Sequence, residues 1–256
     1  MGISKLTGFP FEVEKNISKK LGLVVLQADE TIENELRRII PHHCDVYHSR
    51  IPSAPEVTPK TLRKMMEDLP NSIELFPSEV ILDVIGYACT SGATIIGPDK
   101  VKSVINKRYE GMKVTDPISS VCEALKALDV KKIGFVSPYV ESVSTEMRGF
   151  LVGHGFDVKS LISFEQGSES VVASIRESDT LKAVVEAATH DVEAIFVSCT
   201  NLKTFSILDH AEALIGKPVL SSNQVLAWSM LRKAQVCMSK VDLSKCPGRI
   251  FEQEYF

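Results

Sequence analysis

Asp83-Val84-Ile85-Gly86-Tyr87-Ala88-Cys89-Thr90-Ser91-Gly92-Ala93 is a short apolar run that stops at a cysteine and continues into small hydroxyl residues and a glycine. A run of this kind reads as a buried strand passing into a helix. The arrangement returns about 110 positions later, in Asp191-Val192-Glu193-Ala194-Ile195-Phe196-Val197-Ser198-Cys199-Thr200-Asn201. Each run meets a Cys-Thr pair at its carboxyl end, which is where open α/β sheets bind their ligands. Other landmarks repeat at similar spacing: Leu21-Gly22 with Ile133-Gly134, and Val114 with Val219. That period is too long for a solenoid. Strands alternating with helices predict parallel sheets. The expected fold is therefore α/β: two pseudo-symmetric lobes, each a mainly parallel sheet flanked by helices, with the site in the cleft between them.

The global numbers agree with a folded, water-soluble chain. Its 256 residues are 44% hydrophobic and 24% charged, with a net charge of −4. The composition is ordinary for a globular protein, and the charge recommends no nucleic-acid partner. The cysteines Cys44, Cys89, Cys122, Cys199, Cys237 and Cys246 form no CxxC pair and match no structural zinc spacing. They read as reduced thiols in a cytoplasmic protein. Residues 1–20 lack the apolar core of a signal peptide. The apolar region 80–97 holds Asp83, Thr90, Ser91 and Thr94, which argues against a membrane span.

Apolar periodicity and caps predict helices at 32–40, 59–69, 99–108, 118–128, 143–152, from Asp179 or Thr180 to about 188, 202–214 and 224–234. Strands are expected at 21–26, 132–136 and 158–164, besides the two cysteine runs and short segments at 113–117 and 217–223. Residues 1–20 read as a polar lead-in, 49–59 as a proline-rich loop over the site, and 165–170 as a polar loop. His42-His43, after Pro41, reads as a solvated turn rather than a metal site, and His154 as a turn residue. Cys122 reads as core filling, and Asp209-His210 as a solvated helix pair.

The two Cys-Thr ends carry the chemistry. A thiol at a helix N-terminus is expected to have a lowered pKa, because the helix dipole and free N–H groups favour thiolate. Such a thiolate takes a proton or attacks carbon. The N–H groups that follow hold a carboxylate, and Thr90, Ser91, Thr200 and Asn201 add side-chain donors. Two thiols on opposite faces of a bound acid permit stereoinversion without a cofactor: one removes a proton and the other returns one from behind. Asp116, Ser221 and Ser222 stand at comparable strand ends.

From about Leu21 to Ala234 the chain resembles the aspartate/glutamate racemase superfamily, in the branch containing maleate cis–trans isomerase and arylmalonate decarboxylase. The matching stretches are 24–35, Tyr87-Ala88-Cys89-Thr90-Ser91, Ser137-Pro138-Tyr139-Val140, Ser198-Cys199-Thr200-Asn201-Leu202, and 219–222 with Trp228. The resemblance implies a first lobe of residues 1–117 completed by 223–256, and a second lobe of 118–222. It implies an isomerase with no metal or other cofactor, a small carboxylate substrate and a homo-oligomer. Cys89 and Cys199 would be acid/base or nucleophile, and Tyr139 would contact substrate.

Departures from the family sharpen the reading. Arylmalonate decarboxylase has glycine in place of the first cysteine, so the presence of both thiols favours racemisation or isomerisation. The usual amino-acid racemase patterns, Cys-Asn-Thr and Cys-Thr-His, are here Cys89-Thr90-Ser91 and Cys199-Thr200-Asn201. Maleate isomerase tends to carry asparagine where this chain has Asp29. A carboxylate there favours a nitrogen-bearing substrate, such as an aspartate-like or ectoine-derived acid, though Asp29 can also cap the next helix. Three alternatives stay open: covalent cis–trans isomerisation, decarboxylation through Cys199 alone, and a non-catalytic binding or thiol-sensing protein.

Overall fold

The computed structural model describes residues 8–14, 17–189 and 191–252. Eight strands and ten α-helices alternate along these residues: β1 (Lys19–Leu26), α1 (Ile32–Ile39), β2 (Cys44–Ile51), α2 (Pro59–Glu74), β3 (Val84–Ala88), α3 (Thr90–Ile96), α4 (Pro98–Arg108), β4 (Val114–Thr115), α5 (Pro117–Ala127), β5 (Lys132–Tyr139), α6 (Glu141–Gly153), β6 (Asp157–Gln166), α7 (Glu169–Ser174), α8 (Glu177–Ala187), β7 (Ala194–Val197), α9 (Leu208–Ile215), β8 (Val219–Ser221) and α10 (Ser222–Lys233). The strands form two four-stranded sheets, β2-β1-β3-β4 and β6-β5-β7-β8, parallel throughout. Counting the second sheet from β5 reproduces the order of the first, so the sequence repeat is a structural repeat.

Local chemistry explains most element ends. The inner strands β3 and β7 are buried along their whole length, as strands covered on both faces must be. Thr58 opens α2 with a capping box to Thr61, and Pro59 occupies the first helical position. Leu62, Met65, Leu69 and Ile73 then face the core at helical spacing. Asp116 caps α5 by accepting from the Ser119 N–H, and Ser221 caps α10 in a second capping box with Gln224. Gly134 leaves room for α8 to meet β5: a Cβ there would stand 2.7 Å from the Ala187 carbonyl oxygen.

Several expectations need correction. α2 runs on to Glu74 through Pro70, because its apolar face stays buried to Ile73. The lead-in is shorter than 1–20: β1 begins at Lys19, residues 8–14 are exposed without regular structure, and residues 1–7 and 15–16 lie outside the described part. Residues 49–51 belong to β2, so the proline-rich loop begins at Pro52. The helix expected at 202–214 starts only at Leu208. Glu35 on α1 takes the Thr204 and Phe205 N–H groups at 2.6 and 2.9 Å, and the Thr31 hydroxyl donates to the Asn201 carbonyl at 2.9 Å. These ties hold the segment after β7 out of a helix.

Helix α10 is buried from Ser222 to Leu231 and packs against α1, α5, β3, β4 and β8. Helices α3 and α6 also meet. The tail returns over this face in short 3₁₀ turns. Its Gly248 N–H donates to Asp209 at 2.7 Å, and the Pro247 carbonyl accepts from Gln224; Asp209 and His210 are exposed on α9, as expected. No helix among the described residues is long and apolar enough to cross a membrane.

Candidate active site

The carboxyl ends of β3 and β7 bring Cys89 and Cys199 into one closed site. Cys89 is the N-cap of α3, and its Sγ accepts the Gly92 N–H at 3.1 Å, with Ser91 Oγ at 3.7 Å. Glycine is required at position 92, since a Cβ would come within 2.8 Å of Cys89 Sγ and 2.9 Å of the Tyr87 hydroxyl. Cys199 caps no helix. It sits at φ +100°, a backbone region that costs a non-glycine residue about 1–3 kcal/mol and that concentrates at functional sites. Its Sγ accepts the Asn201 N–H at 3.2 Å and lies 3.0 Å from the Tyr139 hydroxyl.

Ser222 joins the two halves. Its Oγ accepts the Cys199 N–H at 3.0 Å and shares a proton with Thr90 Oγ1 at 2.7 Å. Thr200 reaches back to the Ala88 carbonyl at 3.4 Å. Thus Cys89, Thr90, Ser91, Cys199, Thr200, Asn201 and Tyr139 are all brought together, each at most 4% exposed. Asp29 joins them from the end of β1. One of its oxygens takes the Thr31 and Ile32 N–H groups at 2.8 and 2.9 Å, so it does cap α1. Its other oxygen is buried with no hydrogen-bond partner. Asp116 and Ser221 do not join the cluster through their hydrogen bonds, which are those of helix caps.

Glu169 is the group that sequence reasoning missed, having placed it in a polar loop. It begins α7 and is 4% exposed. One carboxylate oxygen accepts from the Tyr139 hydroxyl at 3.3 Å, the other from Asn201 Nδ2 at 3.0 Å. No local pattern marks it. It is delivered by a long-range clasp: Glu56 bridges Ser168, the Val57 N–H donates to the Gly167 carbonyl, and the Glu169 N–H donates to the Pro55 carbonyl. The proline-rich loop therefore does cover the site. The cavity beside Glu169, bounded by Leu26, Ser53, Val57 and Met65, is only about 10 Å³. A much larger surface cavity of about 670 Å³ lies by Lys19, His43 and Val236, at the opposite end of β1, and touches none of these groups.

The electrostatics reverse one expectation. Both thiols are pushed up rather than lowered, Cys89 to about 12 and Cys199 well above its ordinary value. Burial is the main cause and the Glu169 charge the second; the N–H groups offset only part. Burial also raises Asp29 and Glu169, and the charge of Asp29 raises Glu169 further. In the closed site the thiols are thus held protonated. A Cys199 S–H directed at the Tyr139 oxygen leaves the Tyr139 proton for Glu169. Among the described residues no group of three or more His, Cys, Asp and Glu is placed to hold a metal ion. His42 and His43 lie exposed in the turn before β2.

Comparison with known proteins places the fold. The maleate isomerase of Nocardia farcinica is 24% identical over 225 residues, covering 84% of this chain and 89% of its own. Among solved structures, a Cys-to-Ala variant of the maleate isomerase Iso from Pseudomonas putida S16, with maleate, has a TM-score of 0.82 at 20% identity, over 93% of this chain and 99% of its own. A Cys-to-Ser variant of the Nocardia farcinica maleate cis–trans isomerase, with a covalently bound succinylcysteine intermediate, has a TM-score of 0.78 at 21% identity, over 92% and 99%. The model of the arylmalonate decarboxylase family matches residues 99–249, more than half of the 256, and the chain belongs to that family, in the branch it shares with the maleate isomerases.

Proposed function

We propose that this protein is a cofactor-independent, two-cysteine isomerase or racemase of a small dicarboxylate or aspartate-like acid, with Cys89 and Cys199 on opposite faces of the bound substrate. The observation that carries the reading is the pair of buried thiols at the ends of matching strands, each accepting a backbone N–H, with Ser222 joining the Cys199 N–H to the Thr90 hydroxyl. In racemisation, one thiolate removes the proton from the carbon beside the carboxylate. The electron pair passes into the carboxylate as an enediolate, and the opposite thiol returns a proton to the other face. A burial-raised thiol suits both roles, since its conjugate thiolate is a strong base. Thr90, Ser91, Thr200 and Asn201 are placed to hold the carboxylates.

The covalent alternative has its own support in the succinylcysteine intermediate of the Nocardia farcinica enzyme variant. On such a route in this chain a thiolate forms an S–C bond as the C=C π bond breaks, the second thiol protonates the neighbouring carbon, and rotation precedes reversal of both steps. Here Cys89 and Cys199 are the two candidate sulfurs for the attack, each with a backbone N–H on its Sγ.

Proton NMR in D2O on a panel of dicarboxylates, aspartate-like acids and ectoine-derived acids separates these routes. Deuterium entering beside a carboxylate, and lost in Cys89→Ser and Cys199→Ser, supports two-thiol proton transfer. Cis–trans isomerisation of a double bond, with or without deuterium entering it, supports covalent attack. A Cys89→Gly variant that keeps activity and releases CO2 would replace both by decarboxylation. No turnover of any compound would move the protein to a binding role.

A further inference from the structure

We infer that Asp29 and Glu169 form a cation-accepting subsite beside the two thiols, so that the substrate carries a protonated nitrogen as well as its carboxylate. The inference rests on the two-thiol reading and adds the chemical class of the group that the site receives. It starts from how three buried carboxylates are compensated. Glu35 is surrounded by donors: the Thr204 and Phe205 N–H groups, the Thr204 hydroxyl and Asn223 Nδ2 at 2.7 Å. It is a finished structural knot. Glu169 has two side-chain donors, Tyr139 and Asn201, both of them site residues. Asp29 has two N–H groups on one oxygen and a bare second oxygen, in a side chain 4% exposed. The Thr200 hydroxyl is close enough to act on Asp29, yet it bonds to the Ala88 carbonyl.

Among the described residues no Lys, Arg or His forms an ion pair with either carboxylate. The cation that acts on Asp29 is Arg50, and its guanidinium is spent on the carbonyls of Leu26, Gln27 and Asp29 and on the carboxylate of Glu33. Buried charges are ordinarily paired, because desolvation is otherwise uncompensated. Asp29 and Glu169 instead repel one another, and both raise the two thiols. A substrate that brought only carboxylates would add like charge to this field. A substrate with an ammonium-type nitrogen supplies the missing opposite charge.

The same contact would arm the thiols. Neutralising Asp29 and Glu169 removes the charges that, after burial, hold Cys89 and Cys199 protonated. It also frees the Tyr139 hydroxyl from Glu169, so that its proton can turn to a Cys199 thiolate. The thiols would then become reactive only when the correct substrate is enclosed.

The test is isothermal titration calorimetry on the full chain, with D- and L-aspartate and D- and L-2,4-diaminobutyrate against succinate and maleate, which lack the nitrogen. Wild type is expected to bind at least one amino-bearing acid more than tenfold tighter than either bare acid. Asp29→Asn and Glu169→Gln, checked for native circular dichroism, should each erode that preference by about tenfold. The double variant should prefer the bare acids. Succinate or maleate binding as tightly as every amino acid, no amino acid binding at all, or a preference untouched by the substitutions would overturn the subsite. Failure of the two-thiol reading looks different: amino acids bind with the expected preference, but no deuterium exchange or isomerisation follows.

Discussion

Replacing Asp29 with asparagine is expected to stabilise the empty protein at alkaline pH and not at acid pH. The carbonyl oxygen of asparagine can keep the two N–H groups that cap α1. The amide nitrogen then stands where the carboxylate presents its bare oxygen, within the field of Glu169. Leaving a buried charged acceptor unpaired costs upwards of about 1–3 kcal/mol. Weaker bonds to a neutral oxygen return about 1 kcal/mol of that. The net gain is up to about 2 kcal/mol, or up to about 8 °C in Tm for a chain of this size. Burial raises the Asp29 pKa in the folded state. The folded wild type therefore keeps a proton that the unfolded chain has lost, and its stability falls as pH climbs from the ordinary aspartate value of 3.8 through the raised one. Asparagine does not titrate, so the advantage opens across that window. Urea unfolding of both proteins at pH 4.5 and pH 8.5 measures it. A variant destabilised at pH 8.5, or a difference equal at the two pH values, would refute the view that Asp29 is an uncompensated buried charge.

Three further substitutions probe the rest of the site and its frame. Tyr139→Phe removes the hydroxyl 3.0 Å from Cys199 Sγ; loss of a hydrogen bond to a developing thiolate, about 1.5–3 kcal/mol, should lower kcat about 10- to 150-fold with little change in KM, and an unchanged kcat would remove Tyr139 from the chemistry. Asp116→Asn tests a buried cap: burial lifts Asp116 from 3.8 to about 6, so ionising it costs the folded state at most about 3 kcal/mol above pH 6, and the variant should compare better with wild type at pH 8 than at pH 4 in denaturant titrations. Equal differences at both pH values would contradict the burial argument. Gly92→Ala forces a Cβ to within 2.8 Å of Cys89 Sγ; it should destabilise by about 1–3 kcal/mol and slow turnover further by displacing the thiol, so a fully active, fully stable variant would show the contact to be soft.

The repeat was legible because it was written twice in residues that bury. β3 and β7 are uninterrupted apolar runs, and matching Cys-Thr ends named the two points that the topology brings together. Helices with a capping residue and a periodic face, such as α2 after Thr58, were legible at their starts. What failed was governed by distant partners. The segment after Cys199 has a helix-like composition, but Glu35, far away in sequence, captures its N–H groups. Glu169 has the surroundings of a surface loop, and only its clasp with residues 55–57 carries it inside. The raised thiols were misread for a related reason. A helix-terminal cysteine lowers its pKa when water or cations share the site, whereas these lie in a closed cavity with two carboxylates.

The two thiols are matched by position and unmatched by environment, and the difference fits a proposal of distinct roles. Cys89 sits in relaxed extended backbone, with one close N–H donor. Cys199 is held at φ +100°, with an N–H donor and a phenol aimed at its sulfur. In the empty site both thiols are nonetheless raised, with the Glu169 charge the second cause after burial. That charge is conditional: a proton on Glu169, or a cation from the substrate, removes it, while the phenol and the N–H remain. We propose that Cys199 is then the better-stabilised thiolate and acts as the base. Cys89 remains the thiol that returns a proton. On this account the backbone strain at Cys199 and the unpaired charge at Asp29 serve the same end, holding a site that is unfavourable when empty and completed by what it binds. Alkylation by iodoacetamide followed by peptide mapping gives the order directly. In Glu169→Gln, Cys199 should gain more in rate than Cys89, and an equal gain at both would return the thiols to equivalence.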